Sequence, residues 1–381
     1  SEYQFKTDNS NIKIGANFRQ YTPDSKGSIF MDTASSIINN EFGIYTGAEF
    51  NFLGEVLKVN TTLRADKNEN FDVNLSPAAS IVYKPNKDDI FRLSFGSALR
   101  NPTLSDQYLY YNVGRAILIG NLNGHGVRYG ENLVTIESLY EYFTPSFPVY
   151  DSLKFFSVDP IKPEKAKSIE LGYRSTISNK LYVDANVYYS EYTDFIGYKI
   201  GAKFLADTSN GGYSITLPSI QAYRMAANAE NKVTTKGASI GINYYPNSDI
   251  SINGNYSWNS LNEKGTNDPI IPAYNTPEHK FNLGCLIKNI HFSKQKSFLR
   301  DFSCSVNYKW VEGFQYEGSP QFTGYVPTYD IIDLQISKEI IRINATVKLG
   351  STNLLNNLHY EVYGGPYIGR MSYCSILFNI N

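Results

Sequence analysis

The chain has 381 residues and a formal net charge of −1, which removes any electrostatic case for nucleic acid as a partner. Aromatic residues make up 14%, with Tyr (31) ahead of Phe (22) and only 2 Trp, and no segment approaches the roughly 18 apolar residues of a membrane-crossing helix. A mean hydropathy of −0.33 does not exclude a membrane, because a membrane barrel shows lipid only every second residue.

The opening SEYQFKTDNS is polar, with no signal peptide, and residues 1–6 read as the end of a strand. Residues 11–21 run outward, 22–38 form a loop rich in Asp, Ser and Gly, and 41–52 return. A tight turn at 53–55 follows. Leu57, Val59, Thr61, Leu63 and Ala65 then share one face, and Lys58, Asn60, Thr62, Arg64 and Asp66 the other. This period of two is the signature of a strand. Residues 85–88 turn into IFRLSFGSALR, where Phe91, Leu93 and Phe95 oppose Arg92, Ser94 and Gly96. A long interruption spans 101–160. Alternation resumes in 161–173, with Ile169, Leu171 and Tyr173 against Ser168, Glu170 and Gly172. Loops of this size are usually functional or disordered.

Leu181, Val183, Ala185, Val187 and Tyr189 oppose Tyr182, Asp184, Asn186, Tyr188 and Ser190 in the clearest alternation of the chain. Residues 197–217 read as a second sizeable loop, and 219–245 as one long strand bent near Lys236 and Gly237. After a turn at 246–249, Ile250, Ile252, Tyr256 and Trp258 share a face, and a polar loop covers 261–276. Four further apolar faces follow: Phe281, Leu283, Cys285 and Ile287; Phe302, Cys304, Val306, Tyr308 and Trp310; Ile332, Leu334 and Ile336; and Ile343, Ala345, Val347 and Leu349. The last strand aligns Cys374, Ile376, Phe378 and Ile380. The three cysteines are thus small apolar-face residues. Cys285 and Cys304 flank one connection symmetrically, so a disulfide between them depends on register. The four histidines have no ligand spacing, and no metal or cofactor site is assigned.

About 14 complete strands plus the stub at 1–6 are expected, with short connections alternating with long ones. No strand is followed by a helix-length amphipathic segment. The fold class is all-β, a transmembrane antiparallel β-barrel whose short turns face the periplasm and whose long loops face outward. An arginine at Val183 or Val187 would then oppose insertion, whereas one at Asp184 or Asn186 would be tolerated.

Four motifs carry a family resemblance. FRLSFGSALRNPTLSDQY supplies Arg100, Asn101, Pro102 and Thr103 at the top of an ascending strand. KPEKAKSIELGY supplies Pro163, Glu164, Ser168, Glu170, Leu171, Gly172 and Tyr173 in the descent. A strand ends in Leu63-Arg64-Ala65-Asp66, with Ser76-Pro77 after a short loop. Near the end stand Asn353-Leu354-Leu355-Asn356, Gly365-Pro366 and Gly369-Arg370. Together these resemble the C-terminal barrel of TonB-dependent outer-membrane receptors.

The resemblance implies that 1–381 is the C-terminal portion of a barrel of about 22 strands, its plug and first strands lying outside this chain. Such barrels usually end in an aromatic residue; here Phe378 precedes three further residues. The implied function is energy-coupled uptake of a scarce solute across the outer membrane of a Gram-negative bacterium. The solute could be a siderophore, haem, cobalamin, oligosaccharide or peptide, and no catalysis is implied. A passive channel, or a scaffolding barrel in a larger envelope complex, is the alternative. Implied partners are the lipid bilayer, the TonB complex acting through the plug, a small solute, and an extracellular lipoprotein lid or other envelope protein. The chain's ending does not resemble that of the glycan importers that work with such a lid.

The loop 101–160, with Arg100 at its base, is the expected ligand contact. It carries Tyr108, Tyr110, Tyr111, Arg115, Tyr140 and Tyr142, and also Arg128, Tyr129 and Phe143. Clustered aromatics can stack on a sugar, a planar chelate or a peptide, or can pack against neighbouring loops. The glycines 114, 120, 124 and 126 form no phosphate loop, lacking a strand-to-helix context and a Gly-Lys-Ser/Thr. Tyr256, Trp258, Tyr308 and Trp310 fit an interfacial aromatic girdle better than a sugar platform.

Overall fold

The computed structural model describes residues 1–114, 116–144, 150–204, 206–207, 214–215, 219–263, 274–292, 300–318 and 323–378. Among them runs one antiparallel sheet of fifteen strands, each beside its neighbour in sequence. They are β1 (Glu2–Lys6), β2 (Ser10–Tyr21), β3 (Asn39–Phe52), β4 (Leu57–Asn68), β5 (Asn74–Tyr83), β6 (Asp89–Arg100), β7 (Glu164–Ile177), β8 (Leu181–Thr193), β9 (Val233–Tyr244), β10 (Ile250–Glu263), β11 (His279–Ile290), β12 (Phe302–Val311), β13 (Tyr329–Ile340), β14 (Ala345–Thr352) and β15 (Met371–Phe378). β1 and β15 are its two edges and do not pair with one another.

Register converts alternation into two continuous faces. Phe95 lies opposite Ile169, which lies opposite Tyr189; Leu93, Leu171 and Val187 form the next row. All six are exposed. Leaving such side chains in water forgoes about 1.5–3 kcal/mol each, so this face calls for lipid. The opposite face is polar and internally bonded. Arg92 Nη2 and Arg174 Nη2 lie 2.6 and 2.8 Å from the two carboxylate oxygens of Asp184. Asn186 donates to Glu170 Oε1 at 3.2 Å and accepts from the Ser239 hydroxyl at 2.6 Å. Asp184 is therefore committed to two arginines, and an arginine in its place would face both; the tolerance expected there does not extend to this position.

Two of the short connections turn on left-handed residues. Ser178 and Asn179 have φ of 52° and 54°, and the Lys180 amide donates to the Ile177 carbonyl at 3.1 Å. Two successive positive-φ residues make the type I′ turn that matches strand twist. The turn after β3 passes Leu53, Gly54 and Glu55, all with positive φ.

Two expectations change. Residues 219–245 are not one strand: Gln221–Asn228 belongs to a separate sheet, and β9 starts only at Val233. The loop 197–217 likewise begins as strand Ile196–Lys203. The cysteines also resolve. Cys285 pairs in register with Val306, and Cys304 with Ile287; the two thiols sit diagonally, and all three cysteines are free.

The buried apolar core lies not in the large sheet but in the layer above its outer end. There the loop between β6 and β7 and the loop between β8 and β9 fold together. Strands Tyr110–Asn112, Ala116–Ile119, Gln221–Asn228, Ile196–Lys203 and Leu133–Thr135 form a five-stranded sheet in that order. Its central pairing, Ala116–Ile119 with Gln221–Asn228, is parallel and joins one loop to the other. Leu133 and Val134 are both fully buried although consecutive strand residues point to opposite faces, so this sheet is covered on both sides. Ile117, Ile119, Leu133, Val158 and Met225 fill one face; Val134, Leu139, Tyr142, Ala202 and Phe204 fill the other.

Candidate functional site

The motif residues explain how this layer is anchored. Pro102 lies just beyond β6, and Thr103 caps the short helix α1 (Leu104–Tyr108): its hydroxyl accepts from the Asp106 amide at 3.2 Å, and Asp106 Oδ2 accepts from the Thr103 amide at 2.8 Å. This reciprocal pair is a capping box. Gln107 is buried; its Nε2 donates to the Pro102 carbonyl at 2.7 Å, and its Oε1 accepts from Asn39 and Asn70 at 3.1 and 2.8 Å. Asn68 donates onward to Asn39 Oδ1 at 2.8 Å. A buried amide network thus locks α1 onto the outer ends of β3 and β4.

Arg100 and Glu164 close the base. The guanidinium sits 3.0 Å from Glu164 Oε2, and the same carboxylate oxygen accepts the Ile196 amide at 3.1 Å. Asn121, fully buried, ties the two loops by donating to the carbonyls of Asp159 and Ala226 at 2.7 and 2.8 Å. In the second helix, α2 (Ile136–Phe143), Thr135 caps the first turn by accepting from the Ser138 amide, and Ser138, Leu139 and Tyr142 form its buried face.

Between α1, the loop sheet and the loop after β2 lies a cleft of about 370 Å³. Tyr108, Tyr110 and Tyr223 line it with Met31, Gly120, His125, Glu131 and Lys203. Glu131 is the hub. It pairs with Lys203 from the other loop, accepts the Gly126 amide at 2.8 Å and faces His125 Nδ1 at 3.3 Å. His125 Nε2 lies 3.0 Å from the Gly120 carbonyl. Lys203 Nζ also stands 4.7 Å from the centre of the Tyr223 ring, a cation–π arrangement. Burial alone would raise the Glu131 pKa; the Lys203 and Gly126 hydrogen bonds, with the charges of Lys203 and His125, outweigh it and hold the carboxyl below its ordinary range. Burial, with the neighbouring Tyr110 and Glu131, pushes the Tyr223 phenol up. The cleft therefore presents aromatic faces and a charge pair that is already internally satisfied.

The sequence-derived residues separate into groups. Tyr108 and Tyr110 line the cleft, with the Tyr108 hydroxyl accepting from Asn70 at 2.6 Å. Tyr111 is exposed on the edge strand, and Tyr140 is exposed on α2. Tyr142 is only 2% exposed and packs in the core beside α2. Arg100 holds the loop base. Arg115 lies outside the described residues. Arg128 pairs with Asp159, and Phe143 sits edge-on to Tyr142. Glu131, Lys203, His125 and Tyr223 were not singled out as ligand contacts. They come from two loops whose pairing no local pattern announces.

At the other long loop, Asn353 and Asn356 take positive φ. Asn353 donates its amide to Asp333 at 2.8 Å and bonds reciprocally with the Asn357 backbone. Asn357 Nδ2 donates to the Asp330 carbonyl at 2.9 Å. The Asn-rich motif is thus a loop anchor, and Asp330 and Asp333 are loop-base residues. The outward aromatics gather near the outer rim: Phe281 stacks on Trp310 at 5.7 Å and contacts Tyr308 at 5.6 Å, while Tyr256 stacks on His279.

A sheet grown hairpin by hairpin, apolar outside and polar inside, with short turns at one end and folded loops at the other, defines an outer-membrane-type β-barrel protein. The model of the TonB dependent receptor-like beta-barrel matches residues 1–354, and the chain belongs to that family. Its fold is similar to the FrpB iron transporter of Neisseria meningitidis (F3-3 variant), with TM-score 0.62 and 12% identity over 98% of this chain and 53% of that one. It is similar also to the siderophore receptor PirA of Acinetobacter baumannii (TM-score 0.61, 14% identity, 98% and 53%). The copper transporter OprC gives TM-score 0.61 and 13% identity over 98% and 55%. The chain thus spans about half the length of these solved structures. The search of curated proteins returned no match.

Proposed function

We propose that this chain is the C-terminal portion of the barrel of an energised outer-membrane receptor, which takes up a scarce solute with the TonB complex as its energy partner. The two free sheet edges support the domain reading. β1 and β15 have no partner strand beyond them among the described residues, and no strand edge stays unpaired in lipid. Further strands of the same receptor would close the wall, toward about 22 in all.

The observation that carries the receptor reading is the folded two-loop layer with its 370 Å³ cleft. A passive pore has no need of a packed, internally bonded layer of this kind. The proposed outer solute contact is Tyr108, Tyr110 and Tyr223, with Lys203 and His125 at the polar side and Tyr111 and Tyr140 on the surrounding surface. The relatives whose printed names concern iron, a siderophore and copper support a metal ion or its chelate as the solute. Aromatic faces beside a lysine suit a planar anionic chelate.

The test is uptake and binding by the intact receptor. Replacing Tyr108, Tyr110 and Tyr223 together with Ala should weaken ferric-chelate binding at least tenfold while folded receptor stays in the outer membrane. Unaltered binding across a panel of ferric siderophores and haem, or full uptake in the absence of TonB energy, would sink the reading.

A further inference from the structure

The charges of the two-loop cleft cancel before any solute arrives. Apart from His125, Glu131 and Lys203 are the only charged side chains lining it among the described residues, and they are bound to each other. An anionic solute therefore meets no free lysine there. The two carboxylate oxygens of Glu131 are held differently. Oε2 accepts the Gly126 amide at 2.8 Å and faces His125 Nδ1 at 3.3 Å, both within its own loop. Oε1 is the oxygen on Lys203, which reaches across from the other loop.

Both side chains stand on fixed backbone. Lys203 is in register with Leu133 on one side and Gln221 on the other. The Glu131 amide donates to the Gly126 carbonyl at 3.0 Å, and the Glu131 carbonyl accepts the Leu133 amide at 3.0 Å. The mobile part is the four-carbon stem of Lys203, which carries a compact point charge. The Lys203 side chain is 27% exposed and that of Glu131 26%, so an incoming anion reaches the ammonium from the cleft. Ion pairs this open contribute little to stability. The Lys203–Glu131 contact is therefore exchangeable, while the bonds to Oε2 keep Glu131 in place. The ammonium also stands 4.7 Å from the centre of the Tyr223 ring, and Tyr108 and Tyr110 line the same cleft.

We propose that Glu131 is an internal stand-in for a carboxylate of the solute: an aromatic carboxylate takes its place on Lys203 and lays its ring against the tyrosines. The exchange selects for two features at once. A ring without a carboxylate leaves the ion pair intact and gains only the aromatic faces. A carboxylate without a ring trades one ion pair for another. A solute with both adds ring contact to an exchange that is nearly neutral in charge. The displaced Glu131 stays beside His125 and opposes any second anionic group, so discrimination works by repulsion as well as attraction. A mere clamp between the loops behaves otherwise: breaking it loosens the layer and weakens every ligand alike.

The inference rests on the cleft as the solute contact, and the experiment separates the two. Intact receptor in detergent is titrated with 2-naphthoate and with its neutral isostere 2-naphthamide, followed by ligand-observed NMR. Glu131→Gln keeps an acceptor for the Gly126 amide but removes the charge. The expected result is that it tightens 2-naphthoate binding at least fivefold and leaves 2-naphthamide within twofold. Adding Lys203→Met to that variant should abolish the gain. If Glu131→Gln does not accumulate, Glu131→Asp, one methylene shorter, must tighten 2-naphthoate in the same selective way. Equal shifts for both probes, weaker binding of both, a gain that survives Lys203→Met, or no binding of 2-naphthoate to any of these proteins overturns the exchange. Probes that behave as expected, with ferric-chelate binding unaltered by loss of the three tyrosines, overturn the solute assignment of the cleft instead.

Discussion

The guanidinium of Arg100 lies 3.0 Å from the carboxylate of Glu164, and the two residues are the outermost register pair of β6 and β7. The base of the β6–β7 loop is therefore clamped by this ion pair. Because Glu164 is nearly buried and also accepts the Ile196 amide, removing it leaves that amide without its acceptor. Glu164→Ala should destabilise the loop layer by about 1–3 kcal/mol. Arg100→Ala, at the more exposed partner, should cost less, about 1 kcal/mol or below. Hydrogen exchange of the strands Ile196–Lys203 and Gln221–Asn228 measures both; exchange unchanged in both variants would refute the anchor.

The loop layer should loosen in acid. The Glu131 carboxyl is held below its ordinary range despite its burial, because Lys203, Gly126 and His125 favour the charged form. A depressed folded-state pKa contributes stability that is complete above the unfolded value of about 4.3 and is lost as pH falls through the folded value. Protection of Leu133–Thr135 should therefore persist at neutral pH and drop on acidification. In Lys203→Met, which removes the first of the favourable hydrogen bonds, the folded pKa moves up toward the unfolded value, so protection at neutral pH should start lower and the acid-induced drop should shrink. An identical pH profile in the two proteins would count against the pairing.

The two faces of β8 should answer differently to a charge. Val187 is exposed on the apolar side near the strand's middle, so Val187→Arg should impair insertion by about 2–4 kcal/mol. Asn186→Arg, on the polar side, should insert, losing only the Glu170 and Ser239 bonds. Asp184→Arg should fail at neutral pH, because Arg92 and Arg174 would then confront a third cation. Heat-modifiable gel mobility in outer-membrane fractions reads all three, and equal impairment at 186 and 187 would reverse the face assignment.

Gly120 is a contact point rather than a turn. A Cβ there would come within 2.4 Å of the Gln107 backbone, so α1 can approach only a glycine. Gly120→Val should push α1 off the side-chain amides of Asn39 and Asn70 and open the cleft. A loss of solute binding with the fifteen-stranded sheet intact is the expected readout, by binding titration alongside circular dichroism.

The large sheet was legible because each of its strands meets lipid or water on one side only, so alternation is written into the residues. Leu181 to Ser190 shows this most clearly. The loop layer was not legible, for the opposite reason. Gln221–Asn228 is buried on both faces, and Met225, Ala226 and Ala227 are consecutive buried residues; such a strand has no period of two. Its run into Val233 therefore reads as a single strand. The polar residues Glu230, Asn231 and Lys232 were the available sign of the break. Thr103, Glu164 and Asn353 were found as motif residues, but their work as cap, clamp and turn is visible only through partners distant in sequence. Tyr142 illustrates the limit from the other side: an aromatic in a long loop reads as a ligand contact until the loop is known to have a core.

The parallel pairing of Ala116–Ile119 with Gln221–Asn228 also constrains the order of assembly. Most neighbours in the large sheet are joined by short turns or modest loops, so most of its contacts are local and its hairpins can add one after another, the β6–β7 and β8–β9 pairings closing over the two long loops. The loop layer's central contact instead joins residues separated by β7 and β8, and such non-local contacts form slowly. Refolding into bilayers should therefore show two phases: early growth of the wall, then late closure of the layer above it. Until that second phase ends, the hydrophobic side chains of both loops stand open to water at the mouth of the wall, and this is the stage at which a chaperone or a protease would find the chain.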